Sequence, residues 1–214
     1  MANPPQHAIE VHADIWCPFT HVGLRAFVEQ RLITGRTDLA IRVRPWPLEL
    51  VNGAPLDAAA TRDHVDELRE QVAPILFSNF DPGRFPTSTL EALAFVARAY
   101  RMDPGAGERA SFALRDAIFE EGRDISATVI INDIAAHRGL EMSGESDHPA
   151  VVTSWHEGQG RGVLGSPHFF CGSTDAFCPT LEITKGPEHD VSIIRDASRL
   201  TEFFEKCFTG PSLE

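Results

Sequence analysis

The chain has 214 residues, 43% of them apolar and 23% charged, enough for one domain with a substantial core, or one domain carrying an insertion. Its 19 basic and 31 acidic residues leave a formal charge of −12, which repels a phosphate backbone and excludes nucleic acid as the expected partner. No apolar run approaches the ~20 residues of a membrane span, and the stretch Met1 to His7 has neither positive charge nor an apolar h-region, so the expectation is a soluble, cytoplasmic protein without a membrane partner.

The first periodic segment, 8–15, alternates as a half-buried strand does and runs straight into Trp16-Cys17-Pro18-Phe19-Thr20. From Pro18 onward Phe19, Val22, Gly23, Ala26 and Phe27 recur as on one helix face, with proline tolerated in the first turn. Cys17 therefore sits at a strand-to-helix junction. A second strand at 39–44 completes a right-handed βαβ unit with parallel strands.

From Thr61 to Leu140 the period is 3.6 throughout, predicting helices at 62–72, 87–101, 108–121 and 126–138, parted by Phe80-Asp81-Pro82-Gly83, Asp103-Pro104-Gly105 and Glu121-Gly122. A further helix fits 147–157. Strand signals return at 167–171 and 178–183, with 172–177 reading as the hairpin turn between them. The closing helix, 196–208, carries Leu200, Phe203, Phe204, Cys207 and Phe208 on one apolar face. The order is βαβ, a helical block, then ββα.

Four cysteines, Cys17, Cys171, Cys178 and Cys207, are too few for a disulfide scaffold, so each is read from its setting. Cys207 reads as a core residue. Cys17 lies where the unpartnered amides and the dipole of a helix amino end favour a thiolate, and its pKa is expected to be depressed. The Thr20 hydroxyl, in the first turn, is placed to hydrogen-bond that thiolate. His21, on the same helix face, is placed to support it as an imidazolium. A hairpin turning at Thr174-Asp175 would set Cys171 across from Cys178, giving either a redox pair or two reduced thiols. A zinc site from His168, Cys171, Cys178 and His189 lacks close-paired ligand spacing, and no metal is expected. Gly160-Arg161-Gly162-Val163-Leu164-Gly165 matches a dinucleotide loop by letter only, since it follows a helix and opens a strand.

Three segments together resemble the DsbA family of thioredoxin-fold proteins: Asp14-Ile15-Trp16-Cys17-Pro18-Phe19-Thr20, Ala117 to Ile125, and Gly162-Val163-Leu164-Gly165-Ser166-Pro167-His168-Phe169. The cytoplasmic branches of that family include FrnE-like oxidoreductases, 2-hydroxychromene-2-carboxylate isomerases and kappa-class glutathione transferases. The resemblance runs from about His7 to Phe208. It implies an α/β thioredoxin fold, 8–60 plus 145–210, interrupted by an all-helical insertion at 61–144. It makes Cys17 the attacking thiol, Pro167 the cis-proline, and Ser166 the residue whose main chain faces a bound peptide or glutathione. Trp16, Pro18, Phe19 and His21 are the further expected substrate contacts.

One departure matters. The family's C-x-x-C reads Cys17-Pro18-Phe19-Thr20, so the resolving thiol is missing, and Cys17 alone forms adducts that an external thiol must resolve. Cys17 and Thr20 are accordingly the catalytic candidates of a monothiol thiol-disulfide oxidoreductase, with no permanently bound cofactor and with glutathione as co-substrate. The transferase and isomerase branches generally carry Ser where Cys17 stands; a glutathione-dependent transferase or isomerase is the second reading, and a redox-inactive binding module the third. The expected partners are a small-molecule thiol or disulfide, a protein disulfide, and a second copy of the chain as homodimer.

Overall fold

The computed structural model describes residues 7–36, 38–140, 147–185 and 191–209. His189 of the zinc reading and residues 145 and 146 of the expected second thioredoxin segment lie outside the described residues, as does the side chain of Phe208. The elements run β1 (His7–Ala13), α1 (Pro18–Ile33), β2 (Leu39–Pro45), α2 (Leu48–Asn52), α3 (Ala58–Gln71), α4 (Leu90–Met102), α5 (Pro104–Phe119), α6 (Thr128–His137), α7 (His148–Gly160), β3 (His168–Cys171), β4 (Thr174–Phe177), β5 (Leu181–Lys185), β6 (Val191–Arg195) and α8 (Ala197–Thr209). A four-stranded sheet has the order β2-β1-β3-β4, and β5 and β6 form a separate hairpin.

β1 is central and parallel to β2, with Ile9 beside Ile41 and Val11 beside Val43. Its other neighbour, β3, runs antiparallel, with Val11 beside Phe169. Ile9, Val11 and Ala13 are wholly buried, the cost of the strand's paired backbone being offset by apolar surface removed from water on this face. Phe27 of α1 lies 5.8 Å from Phe169 and 4.8 Å from Phe204, and Phe203 of α8 lies 6.0 Å from Phe169. These rings clamp α1 and α8 to the sheet and fix the direction in which the amino end of α1 points.

The chain between β2 and β3 is helical. Asp57, Asp103 and Asp147 cap α3, α5 and α7 by accepting from the amides of Ala60, Ala106 and Ala150, each satisfying one of the unpartnered donors of a first turn. Helices α4 and α5 pack on β2, whose outer border they occupy. The Tyr100 hydroxyl donates to the Ile41 carbonyl and accepts from the Val43 amide, both at 3.0 Å. Arg31 donates to the Leu39 carbonyl at 3.0 Å, and Glu108 accepts from the Ile41 amide at 3.4 Å.

Two expectations for the last third are corrected. The reversal after β3 occurs at Gly172-Ser173, so 174–177 forms β4, and Cys171 pairs with Thr174. Gly172 has φ +61, the left-handed conformation that a two-residue hairpin loop requires, and the chain turns at the first place that allows it. Cys178 thus lies beyond β4 and does not face Cys171. The strand signal at 178–183 belongs to β5, which pairs with the unanticipated β6.

Candidate functional site

β1 hands over to α1 through Asp14, Ile15, Trp16 and Cys17. Cys17 occupies the N-cap with an extended backbone, φ −78 and ψ 114, and Pro18 opens the helix. Opposite it is the loop that leaves α7. His168 fixes that loop, since its Nδ1 accepts from the Leu164 amide at 3.1 Å while its Nε2 donates to Asp175 at 2.9 Å. The Ser166-Pro167 peptide bond is cis.

Helix end and loop meet in a closed set of hydrogen bonds. The Cys17 thiol donates to the Ser166 carbonyl at 3.1 Å. The Asp14 amide donates to the Ser166 hydroxyl at 2.9 Å, and that hydroxyl is 2.8 Å from the Thr20 hydroxyl. The hydroxyls of Thr20 and Ser166 and the Thr20 amide lie on the Cys17 side of this set and favour the charged form of its sulfur. The expected pair Cys17 and Thr20 is thereby joined to Ser166, a contact spanning most of the chain.

The expected depression of the Cys17 pKa is not what the structure holds. Cys17 is 3% exposed, and burial pushes its thiol up, against the pull of the Thr20 and Ser166 hydroxyls and the Thr20 amide. The Ser166 carbonyl works in the same direction as burial, because it accepts a proton that only the neutral thiol carries. Asp14 adds a repulsive charge.

Asp14 is a part of the site that the sequence reading passed over. Its carboxylate is fully buried and accepts from the Ile15 amide at 2.7 Å, the Thr89 hydroxyl at 2.7 Å and the Leu48 amide at 2.6 Å. Burial nevertheless raises its pKa to about 6, outweighing those bonds and the nearby Arg115. Arg115, itself buried, donates to the Asp14 carbonyl at 3.1 Å and to the Ser111 carbonyl at 2.9 Å. Burial lowers its pKa to about 10. Signals for both were present: an acid inside the run Ala13-Asp14-Ile15-Trp16, and an arginine inside the apolar stripe of α5.

His21 does not supply an imidazolium to Cys17. It is 1% exposed, its ring packs between Phe77 and Phe119, and its Nε2 donates to Glu120 at 2.7 Å. Burial drives its pKa down to about 4, overriding the carboxylate. Glu120 is lowered to about 2 despite burial, by bonds from His21, the Phe77 amide, and the amide and hydroxyl of Ser78.

Of the other expected contacts, Trp16 is corrected: its side chain is wholly buried and stacks on Phe85 at 5.7 Å, so it supports the site from behind and offers no surface to a substrate. Pro18 and Pro167 are buried, and Phe19 and Ser166 are partly exposed. Phe19 lies 5.1 Å from His64 of α3, which brings the helical block to the edge of the site. A groove of about 1120 Å³ between α1 and α5, walled by Val28, Leu32 and Phe112, does not include Cys17. Among the described residues no group of His, Cys, Asp and Glu is arranged to hold a metal ion, and no helix is long and apolar enough to cross a membrane.

The chain matches no protein-family model and no curated protein sequence. It does match solved structures. A protein of Nitrosomonas europaea proposed to be a protein disulfide isomerase superposes with a TM-score of 0.68 at 16% identity, covering 94% of this chain and 96% of that one. The cytosolic disulfide reductase DsbM of Pseudomonas aeruginosa superposes with a TM-score of 0.60 at 14% identity, covering 87% and 88%, and that protein has also been solved with glutathione. A 2-hydroxychromene-2-carboxylate isomerase gives a TM-score of 0.59 at 14% identity over 79% and 88%. With the βαβ start, the antiparallel β3-β4 return and the helices between them, the fold of this chain is the DsbA-like thioredoxin fold.

Proposed function

We propose that this chain is a monothiol thiol-disulfide oxidoreductase that acts through Cys17, with glutathione as co-substrate in a reducing, cytoplasmic setting. The observation that carries the reading is the Cys17 sulfur at the amino end of α1, bonded to Ser166 of the facing loop, with Thr20 where a second thiol would stand. The Cys17 proton leaves, its sulfur attacks one sulfur of a disulfide, and the other sulfur departs as a thiol carrying the proton. The resulting mixed disulfide has no neighbouring thiol at position 20 to resolve it, so a free thiol such as glutathione attacks in its turn and regenerates Cys17. Thr20 and Ser166 stabilise the sulfur's negative charge as it develops, which is when their hydrogen bonds are strongest.

The test is incubation of the reduced protein with oxidised glutathione, followed by mass mapping of thiol adducts and a coupled reductase assay. The expected result is a glutathione adduct on Cys17 that excess glutathione removes, with turnover abolished in Cys17→Ser. The likeness to the 2-hydroxychromene-2-carboxylate isomerase and the raised thiol pKa favour a second reading. In it a bound glutathione supplies the reacting thiol, and a protonated Cys17 serves only as a hydrogen-bond donor. Glutathione-dependent activity retained by Cys17→Ser would select that reading and dismiss the first.

A further inference from the structure

Cys207 packs against the core, as its place on the apolar face implies, but only at its margin. Leu200, Phe203 and Phe204 seat α8 in the core, but one turn beyond Phe203 the helix reaches the rim of the sheet, and Cys207 is only partly buried there. It arrives at the end of β3, where Cys171 is partly exposed too. The Cys171 thiol donates to the Cys207 carbonyl across 4.0 Å, so the end of β3 and the last turn of α8 bring the two cysteines side by side. The Arg36 guanidinium, bonded to Asp38 through two contacts of 2.8 Å, adds positive charge on the Cys171 side.

The arrangement is directional. The neighbouring Cys207 thiol and the Arg36 guanidinium, against the cost of burial, lower the Cys171 pKa. The same contact, with burial, pushes Cys207 up. The Arg36 charge on the Cys171 side favours Cys171 as the thiol that attacks first.

We propose that Cys171 and Cys207 form a second redox pair, separate from Cys17, which low-molecular-weight disulfides close into a bond that ties α8 to the end of β3. The Cys171 thiolate attacks oxidised glutathione, forming a protein-glutathione disulfide and releasing one glutathione thiolate. Cys207 then gives up its proton and attacks the Cys171 sulfur, forming the Cys171-Cys207 bond and releasing the second glutathione, which takes the proton. Two protein thiols are oxidised and one glutathione disulfide is reduced to two thiols. The Cys171 sulfur already lies against the backbone of Cys207, and the bond would span all of β4, β5 and β6. The pair is independent of the function proposed for Cys17.

The experiment uses the full chain carrying Cys17→Ser, reduced and then exposed to oxidised glutathione, alkylated and mapped by mass spectrometry without reduction. The expected product is a peptide linking Cys171 to Cys207, accompanied by a thermal midpoint higher by about 5 °C or more, because a cross-link restricts the unfolded chain. Cys207→Ser should stop at a stable glutathione adduct on Cys171 and show no such rise. A stable adduct on Cys171 with Cys207 intact, both thiols remaining alkylatable, linkage of either to Cys178, or an equal thermal rise in Cys207→Ser would each overturn the proposal.

Discussion

Replacing Thr20 with valine isolates the hydroxyl that stands in place of a second thiol. The side chain is wholly buried and valine keeps its shape, so packing is preserved while the bond to Ser166 and the hydroxyl's pull on the Cys17 sulfur are lost. A hydrogen bond to a charged group is worth roughly 1.5–3 kcal/mol, so removing the hydroxyl that opposes burial should raise the Cys17 pKa further. Each unit of that rise removes tenfold of the thiolate at a pH below the pKa but returns about threefold in intrinsic nucleophilicity. Alkylation of Cys17 at pH 7 should therefore slow by about threefold per unit. Stability should fall by about 1–3 kcal/mol, since the Ser166 hydroxyl loses its 2.8 Å partner. The assay is the pH profile of Cys17 alkylation by iodoacetamide, read on the Cys17 peptide, alongside urea unfolding. An unchanged or lowered Cys17 pKa in a folded Thr20→Val protein would show that Thr20 does not stabilise the thiolate.

Asp14→Asn should lower the Cys17 pKa by removing a repelling charge, yet destabilise the fold by roughly 1–3 kcal/mol, because an amide hydrogen now meets a site built of three donors; a Cys17 titration that moves upward contradicts this. Burial lowers the pKa of both His12 and His21 to about 4, so the stability they contribute is full above pH 6.5 and is lost as pH falls toward 4, at roughly 3 kcal/mol each. Asp14, raised to about 6, opposes this by gaining its proton first in the folded state. The net is a loss of a few kcal/mol between pH 6.5 and 4, continuing as Glu120 protonates, and urea midpoints that stay flat over that range contradict the burial argument. Tyr100→Phe strips two bonds from β2 and should cost about 1–3 kcal/mol in urea unfolding with little effect on Cys17 alkylation.

How much of this was legible divides along the range of the interactions. The βαβ start, the position of Cys17 at the head of a helix, and the apolar face of α8 follow from local periodicity, and the structure has them. The helix dipole at Cys17 is local too, whereas the burial that outweighs it arises from contacts with Ser166 and from Asp14 held by Thr89 and Leu48, all distant in the chain. His21 illustrates the same split: its spacing from Cys17 was readable, but the pocket formed by Phe77, Phe119 and Glu120 was not. The hairpin after β3 was misplaced because Gly172 and Asp175 both signal turns, and only the sheet register decides between them. Cys207 shares a stripe with Phe203 and Phe204, and periodicity does not tell where along a helix the core ends.

The way β2 is bordered has a consequence for how the sheet can grow. Arg31, Glu108 and Tyr100 use up the outward carbonyls of Leu39 and Ile41 and the outward amides of Ile41 and Val43. A strand approaching from that side finds no free donor or acceptor ladder to copy, so self-association by edge pairing is closed off there by side chains. The opposite border, β4, is only four residues long and carries Asp175, engaged with His168. A pairing strand would gain few hydrogen bonds along it while bringing its own backbone against a carboxylate. This sheet is therefore sealed on one side by occupancy and on the other by shortness, and the same side chains that hold α1, α4 and α5 in place also close its β2 edge to a pairing strand.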